Sequence, residues 1–516
     1  MNSGAKGRIV TLAKEHPYVL SGVICILFWL LTGGSVSFLN KAGITTKTCM
    51  IVYLVLVAAV LITGIVLKIR HKLNTSGYIA LIAIGGVLAR IWFAMYSLTN
   101  DAYQHDFGNF DRNPLHAVHD NYIFYIFDNW RLPDFDFRGY GQYYHPPLHH
   151  FISAVAMKIN EVVFPGREGN YEFLMCISLF YSLVIMILLY KILKLFKFDG
   201  VQLICAFALV SFYPFMIVSA GQINNDPLAS LFFIAAFYHA ILWYREPGFR
   251  RIITVAVCIG CAMMSKISAG LIAVPVGFIF LVMLIKKKFR DSRLWLQFLS
   301  FAAVVFPLGL WFPIRNYINW KIPPTYVFDL GILPRQDMTV FTPLERLFGL
   351  SEVTVTIPFV IFGEDYRDYN IFMILFKSSL FDDFDHHDKE LYILLATFMF
   401  FLGAAIVAMI IAGLVLMIRR IIREKDPELA AVVLLLVTEL ASSILFAFKY
   451  PLICSVSFRY IFPTVICFTL CMAFCFTKSK NEVVNLLQKI AIGAIACFSL
   501  VTVVFYACEW MAMPFY

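Results

Sequence analysis

The sequence predicts an all-α, polytopic transmembrane bundle of about thirteen spans, and three observations predict it. Hydrophobic residues fill 60% of the 516 positions and charged residues only 15%, with a mean hydropathy of +0.78. That is more apolar surface than a water-soluble core absorbs. Apolar runs recur along the whole chain, each near the roughly 20 residues with which a helix crosses the hydrocarbon. The Lys and Arg residues gather in short loops between those runs, so the net charge of +9 is an orientation signal and implies no nucleic-acid partner.

The first run, 18–39, follows a basic start (Lys6, Arg8, Lys14) but is too long for a signal peptide and has no small-residue cleavage site, so it reads as a retained span. The others fall at 49–68, 77–97, 171–190, 201–219, 228–244, 252–264, 268–285, 294–313, 391–418, 428–449, 457–476 and 490–508. The 252–264 run is short, and with 268–285 it forms either a broken hairpin or one long helix. With the spans alternating, the basic loops at 68–72, 191–197, 245–251, 286–293, 419–425 and 478–489 share one side. The positive-inside rule makes that side cytoplasmic, with the N-terminus inside and the C-terminus outside. The opposite side receives the long loops 98–170 and 317–390, together with the turns at 221–226 and around Lys266. Three parts follow: two extra spans over 1–76, a core over 77–476, and a last span over 477–516.

Twelve cysteines do not make a disulfide scaffold, because most (Cys25, Cys176, Cys205, Cys258, Cys261, Cys467, Cys471) lie inside apolar runs and read as small buried hydrophobes. A transporter places its ionisable residues near mid-membrane on broken helices at a repeat interface. This sequence has no convincing internal repeat and few acidic residues within its spans.

Nearly all the residues with chemical promise lie on the side of the long loops. Asn100-Asp101-Ala102-Tyr103-Gln104-His105-Asp106 brings two carboxylates and an imidazole to the membrane surface just past the third span. This is a natural place for a general base acting on a polar acceptor, and the bland reading is a helix cap with solvated neighbours. Tyr143-Tyr144-His145-Pro146-Pro147-Leu148-His149-His150 joins aromatics and imidazoles to a Pro-Pro that starts a helix. The following 151–164 stretch reads as an amphipathic helix in the interface. His145, His149 and His150 are candidate ligands for a divalent metal, although His149 and His150 point different ways on a helix. No cofactor is certain.

Gly221-Gln222-Ile223-Asn224-Asn225-Asp226-Pro227 ends at a helix start, where Asp226 either caps the helix or positions a substrate. The scarce cations of this face are Lys266, Arg315, Lys377 and Arg459. A lipid phosphate needs such partners to bind and to leave, and each also suits a snorkelling boundary role. Asp382-Asp383-Phe384-Asp385-His386-His387-Asp388 has the composition of a metal cluster without regular ligand spacing, and Asp134-Phe135-Asp136 has a DxD spacing without a nucleotide-binding domain around it.

On these residues the chain resembles the GT-C superfamily of membrane glycosyltransferases, nearest the protein O-mannosyltransferase and aminoarabinose-transferase branch. The matching pieces are Gln104-His105-Asp106, Tyr144-His145-Pro146-Pro147-Leu148, Asn225-Asp226-Pro227, the 311–316 stretch with Arg315-Asn316, and Arg459-Tyr460 followed by Pro463; they keep the family's order over 77–476. The resemblance implies a large first outer loop with juxtamembrane helices, a polyprenyl-phosphate sugar donor and an inverting single displacement. In that scheme Asp106, with His105 and Asp101, forms the catalytic group. His145, Lys266, Arg315 and Arg459 meet the donor phosphate, while Asn225, Asp226 and Tyr144 position substrate. His105-Asp106 departs from the Asp-Glu pair of the mannosyltransferase branch, and His145 stands where some aminoarabinose transferases carry Lys, so sugar and acceptor stay open. No β-trefoil is inserted, which favours a bacterial cell-envelope enzyme at the cell membrane with an envelope glycan, lipid or protein acceptor. The alternatives are a transporter or lipid flippase, or a ligase or polymerase acting on lipid-diphosphate glycans.

Overall fold

The computed structural model describes residues 16–41, 46–96, 118–166, 171–331, 333–382 and 390–508. Helices α1 (Pro17–Lys41), α2 (Thr46–Ile69) and α3 (Thr75–Tyr96) open the chain. Two shorter helices, α4 (His119–Asn129) and α5 (Leu148–Val163), occupy the first long loop. The core continues through α6 (Met175–Leu195), α7 (Gly200–Phe212), α8 (Pro214–Val218), α9 (Asp226–Arg245), α10 (Phe249–Ser265), α11 (Ala273–Lys286) and α12 (Ser292–Trp320). The second long loop carries α13 (Pro343–Phe348), α14 (Glu352–Thr356) and α15 (Ile371–Phe381), before α16 (Glu390–Glu424), α17 (Pro427–Lys449), α18 (Val465–Cys475) and α19 (Glu482–Cys508).

Every apolar run expected to span falls on helix, and ten helical stretches among the described residues are long and apolar enough to cross a membrane. Their boundaries follow local chemistry. Asp291 accepts from the Leu294 N–H at 3.2 Å to cap α12, and Asp426 accepts from Glu428 and Leu429 to cap α17, whose first residue is Pro427. The 201–219 run breaks between α7 and α8 at Pro214, which has no N–H to continue the helix. The 252–285 region is a broken hairpin. Lys266 is extended (φ −154°, ψ 124°) between α10 and the 3-10 turn Ile267–Ile272 that leads into α11.

Contacts at both ends fix the direction of these helices. Asn225, at the start of α9, donates through Nδ2 to the Ser265 carbonyl at the end of α10 (2.8 Å). At the opposite end, Arg245 closes α9 against Glu428 at the start of α17 (Nε to Oε1 2.9 Å), and Lys286 of α11 meets Tyr244. The basic turns after α9 and α11 therefore sit at one end of the bundle, and the 221–226 turn and Lys266 at the other.

Deep in the bundle, Arg90 of α3 is fully buried and donates to the carbonyls of Gly86, Val210 and Ser211 and to Ser182 Oγ. It ties α3, α6 and α7 together, and each of its three nitrogens meets a partner, as a buried cation requires.

The expected interfacial helix is α5, and its polarity is reversed relative to a soluble helix. Its inner face carries His149, His150 and Ser153, all buried, whereas Phe151, Ile159, Val162 and Val163 are exposed. An apolar face turned outward suits lipid. The second long loop docks on the 450–456 segment: Met338 N–H donates to the Pro451 carbonyl (2.8 Å) and Ile453 N–H to the Gln336 carbonyl (3.0 Å). Asp368 and Lys377 seal that loop onto α15 as an ion pair at 2.9 Å with neither side chain exposed.

Candidate active site

The site is assembled at the helix ends. Asp226 opens α9 with Pro227 behind it, and the Asn224 side chain accepts the Asp226 N–H at 3.0 Å. The Asn225–Ser265 hydrogen bond then holds the end of α10 alongside, which delivers Lys266 to the Asp226 carboxylate as an ion pair. Lys266 Nζ also lies 4.6 Å from the centre of the Tyr460 ring. Arg459 reaches the same tyrosine, donating through Nη2 to the Tyr460 hydroxyl at 2.8 Å with its guanidinium 4.8 Å from the ring centre. Both cations gain from the ring's negative face. Tyr460 itself donates to the Cys454 carbonyl at 3.3 Å, so the docked second loop sets the position of Arg459.

These groups line an open cleft, whose walls include Asp226, Ser230, Phe233, Lys266, Glu439 and Tyr460. Glu439, on α17, is buried. With Lys266 and Arg459 both on its walls, the cleft presents positive charge suited to an anionic group.

Behind the cleft lies a cluster of imidazoles. His119 Nδ1 and His150 Nε2 are 2.9 Å apart, one donating and one accepting, and His119 stacks on His145 with ring centres 5.6 Å apart. Burial, followed by the charges of His119, Lys266 and Arg459, holds His145 well below the usual imidazole range. Burial and His119 lower His149 to about 3 against the opposing pull of Asp226, and burial and the neighbouring imidazoles lower His150 as well. At neutral pH His145 is uncharged, so its ring can serve as a hydrogen-bonding group but not as a positive charge.

The expected site residues separate into three groups. Asn225, Asp226, Lys266 and Arg459 come together around the cleft, with His145 in their electrostatic field. Tyr144 packs beside His145 (ring centres 4.1 Å apart) and against Tyr326. Arg315 is held elsewhere, by the Pro133 carbonyl, by Asn316 Oδ1 at 3.2 Å and over the Trp320 ring at 4.9 Å. Asp101, His105 and Asp106 lie outside the described residues, as does 383–389 of the acidic run. Lys377 is paired with Asp368, and both side chains are closed off from the surface. Asp136 of the DxD spacing is paired with Arg138, and Asp134 with Arg131, at the surface. Among the described residues no group of three or more His, Cys, Asp or Glu is placed to hold a metal ion. Glu439 escaped the sequence reading, and its signal was a carboxylate inside an apolar span. His119 escaped because nothing in its flanking sequence marks it.

Among the described residues the chain is helical, with helices of spanning length and a charged cleft at one end, which makes it a polytopic membrane protein. Residues 144–311 match the family described as dolichyl-phosphate-mannose-protein mannosyltransferase, a stretch that includes His145, Asp226 and Lys266. Among solved structures, the fold is similar to the apo form of the Archaeoglobus fulgidus oligosaccharyltransferase, at 13% identity and a TM-score of 0.48 over 83% of this chain and 56% of that one. It is also similar to ArnT from Cupriavidus metallidurans bound to undecaprenyl phosphate, at 11% identity and a TM-score of 0.45 over 85% of this chain and 77% of that one. The chain thus spans 56% of the length of the archaeal enzyme. No curated protein matches it in sequence.

Proposed function

We propose that this chain transfers a sugar from a polyprenyl-phosphate carrier to a hydrophilic acceptor at the non-cytoplasmic face of a bacterial cell membrane, with inversion at the anomeric carbon. The observation that supports this most is the convergence of Lys266 and Arg459 on Tyr460 in a cleft between helices, at the bundle end away from the basic turns after α9 and α11. The matched family is named for a sugar carried on a lipid phosphate, which supports the same donor class.

In this reading the donor phosphate lies between Lys266 and Arg459 with its chain along the helices. Asp226 holds Lys266 in place, and neutral His145 adds an N–H. The acceptor oxygen forms its bond to the anomeric carbon as the carbon–oxygen bond to the lipid phosphate breaks. The electron pair leaves on the phosphate, where the two cations stabilise it. The acceptor proton passes to the Asp106 carboxylate, a step worth roughly 10² to 10⁴ in rate. The acceptor is an envelope glycan, lipid or protein.

Purified protein in nanodiscs, supplied with undecaprenyl-phosphate sugars and an envelope fraction, tests the reading. Release of undecaprenyl phosphate with sugar transfer is expected from the wild type and is lost in Lys266→Met and Arg459→Met. Movement of the intact lipid across proteoliposomes without cleavage would replace it with the flippase reading.

A further inference from the structure

Among the described residues, Glu439 is the one acidic residue that lies in the interior of a helix long enough to span; the others in such helices fall within a residue or two of an end. It is ten residues from the Lys449 end of α17, about 15 Å along the helix, yet it faces the cleft that holds Lys266, Asp226 and Tyr460. Its side chain is buried, and Lys266 is the cation whose field reaches it.

Charge counting around the cleft sets the problem. Among the described residues that line it, Lys266 and Arg459 contribute two positive charges and Asp226 one negative, leaving one positive charge, which a single phosphodiester neutralises. A carboxylate on Glu439 would cancel that surplus before the lipid arrived, and lipid binding would then leave a net negative charge in a low-dielectric site, which is strongly unfavourable. A carboxylic acid at the same position removes the excess and supplies an O–H donor, a known way for a buried acid to serve as a hydrogen-bond donor. Among the described residues, the other titratable groups around it are Asp226 on α9, Lys266 ahead of α11, Arg459 and Tyr460 in the 453–464 segment, and Cys467 on α18.

We propose that Glu439 is a phosphate-binding residue of this cleft in its protonated form, donating a hydrogen bond to the lipid phosphate so that donor binding is coupled to retention of one proton. This rests on the lipid-phosphate reading given above. Binding weakens as pH rises and Glu439 ionises.

The test is the affinity of the full-length protein in nanodiscs for undecaprenyl methyl phosphate, a diester whose single charge stays constant from pH 6 to pH 9. The wild type is expected to lose at least about tenfold in affinity across that range, since each pH unit of coupled titration is worth up to tenfold. Glu439→Gln, a neutral donor of similar shape, is expected to keep the pH 6 affinity and bind independently of pH. A pH-independent wild type, or a Glu439→Gln variant as pH-dependent as the wild type, overturns the inference while leaving the lipid-phosphate reading standing. A wild type that binds the diester no better than undecaprenol at any pH overturns both.

Discussion

Lys266 and Asp226 form an ion pair where the start of one helix meets the end of another, with side chains 17% and 8% exposed. Neither is close to the other in sequence, and the Asn225–Ser265 hydrogen bond brings them together. Breaking a mostly buried pair by removing one partner strands the other charge. Lys266→Met is therefore predicted to cost about 3 kcal/mol and to abolish lipid-phosphate binding. The double variant Asp226→Leu/Lys266→Met should recover most of the thermal stability and none of the binding. Paired melting and binding measurements on the three proteins check this.

Asp368 and Lys377 make the contrasting case, a pair wholly shut away from any ligand. Lys377→Met is predicted to destabilise by about 3 to 5 kcal/mol, with Asp368→Asn/Lys377→Met much closer to the wild type. Both outcomes are read from thermal unfolding in detergent. Loss of transfer by Lys377→Met at unchanged stability would instead give Lys377 a direct role.

The buried imidazoles make stability depend on pH. His149 holds its proton only below about 3 when folded, against an ordinary value of 6.5. Between those values the unfolded chain binds a proton that the folded chain rejects, so stability is complete above pH 6.5 and is lost as pH falls. The loss runs at up to about 1.4 kcal/mol per pH unit for such a group, and His145 and His150 act in the same direction. The melting temperature should drop between pH 7.5 and pH 5, and His149→Leu should flatten that drop.

Much of this was legible in the sequence, and the remainder was hidden for identifiable reasons. Apolar runs and basic turns predict the spans because lipid acts on each helix separately. Lys266, Asp226 and Arg459 stand out because a charge at a span end is conspicuous. Which of them meet depends on helix rotation and pairing, and an apolar run carries little of that information, since lipid-facing and core-facing positions are both apolar. For this reason Lys377 and Arg315 looked equivalent to Lys266 in sequence, yet one is sealed against Asp368 and the other is held by the Pro133 carbonyl. The same reason hid Glu439, which shares the cleft with Asp226 and Lys266 from more than 170 positions away.

Gly413 shows how tightly α16 packs. A Cβ at this position would lie 1.8 Å from the Cys471 carbonyl oxygen of α18, and that backbone cannot give way. Gly413→Ala is predicted to destabilise by about 1 to 3 kcal/mol, the range for an overpacked core, or to prevent folding. Gly493→Ala, where nothing lies within 4 Å, should be neutral in the same expression and melting assay.

The central claim is that the cleft binds a polyprenyl monophosphate carrying one sugar and that Asp106 drives the transfer. Mass spectrometry of the lipids that co-purify with wild-type protein, Asp106→Asn and Lys266→Met tests it most directly. The sugar-bearing lipid is expected in the wild type, enriched in Asp106→Asn, which binds but does not turn over, and lost in Lys266→Met. Bulk phospholipid alone in all three samples would contradict it.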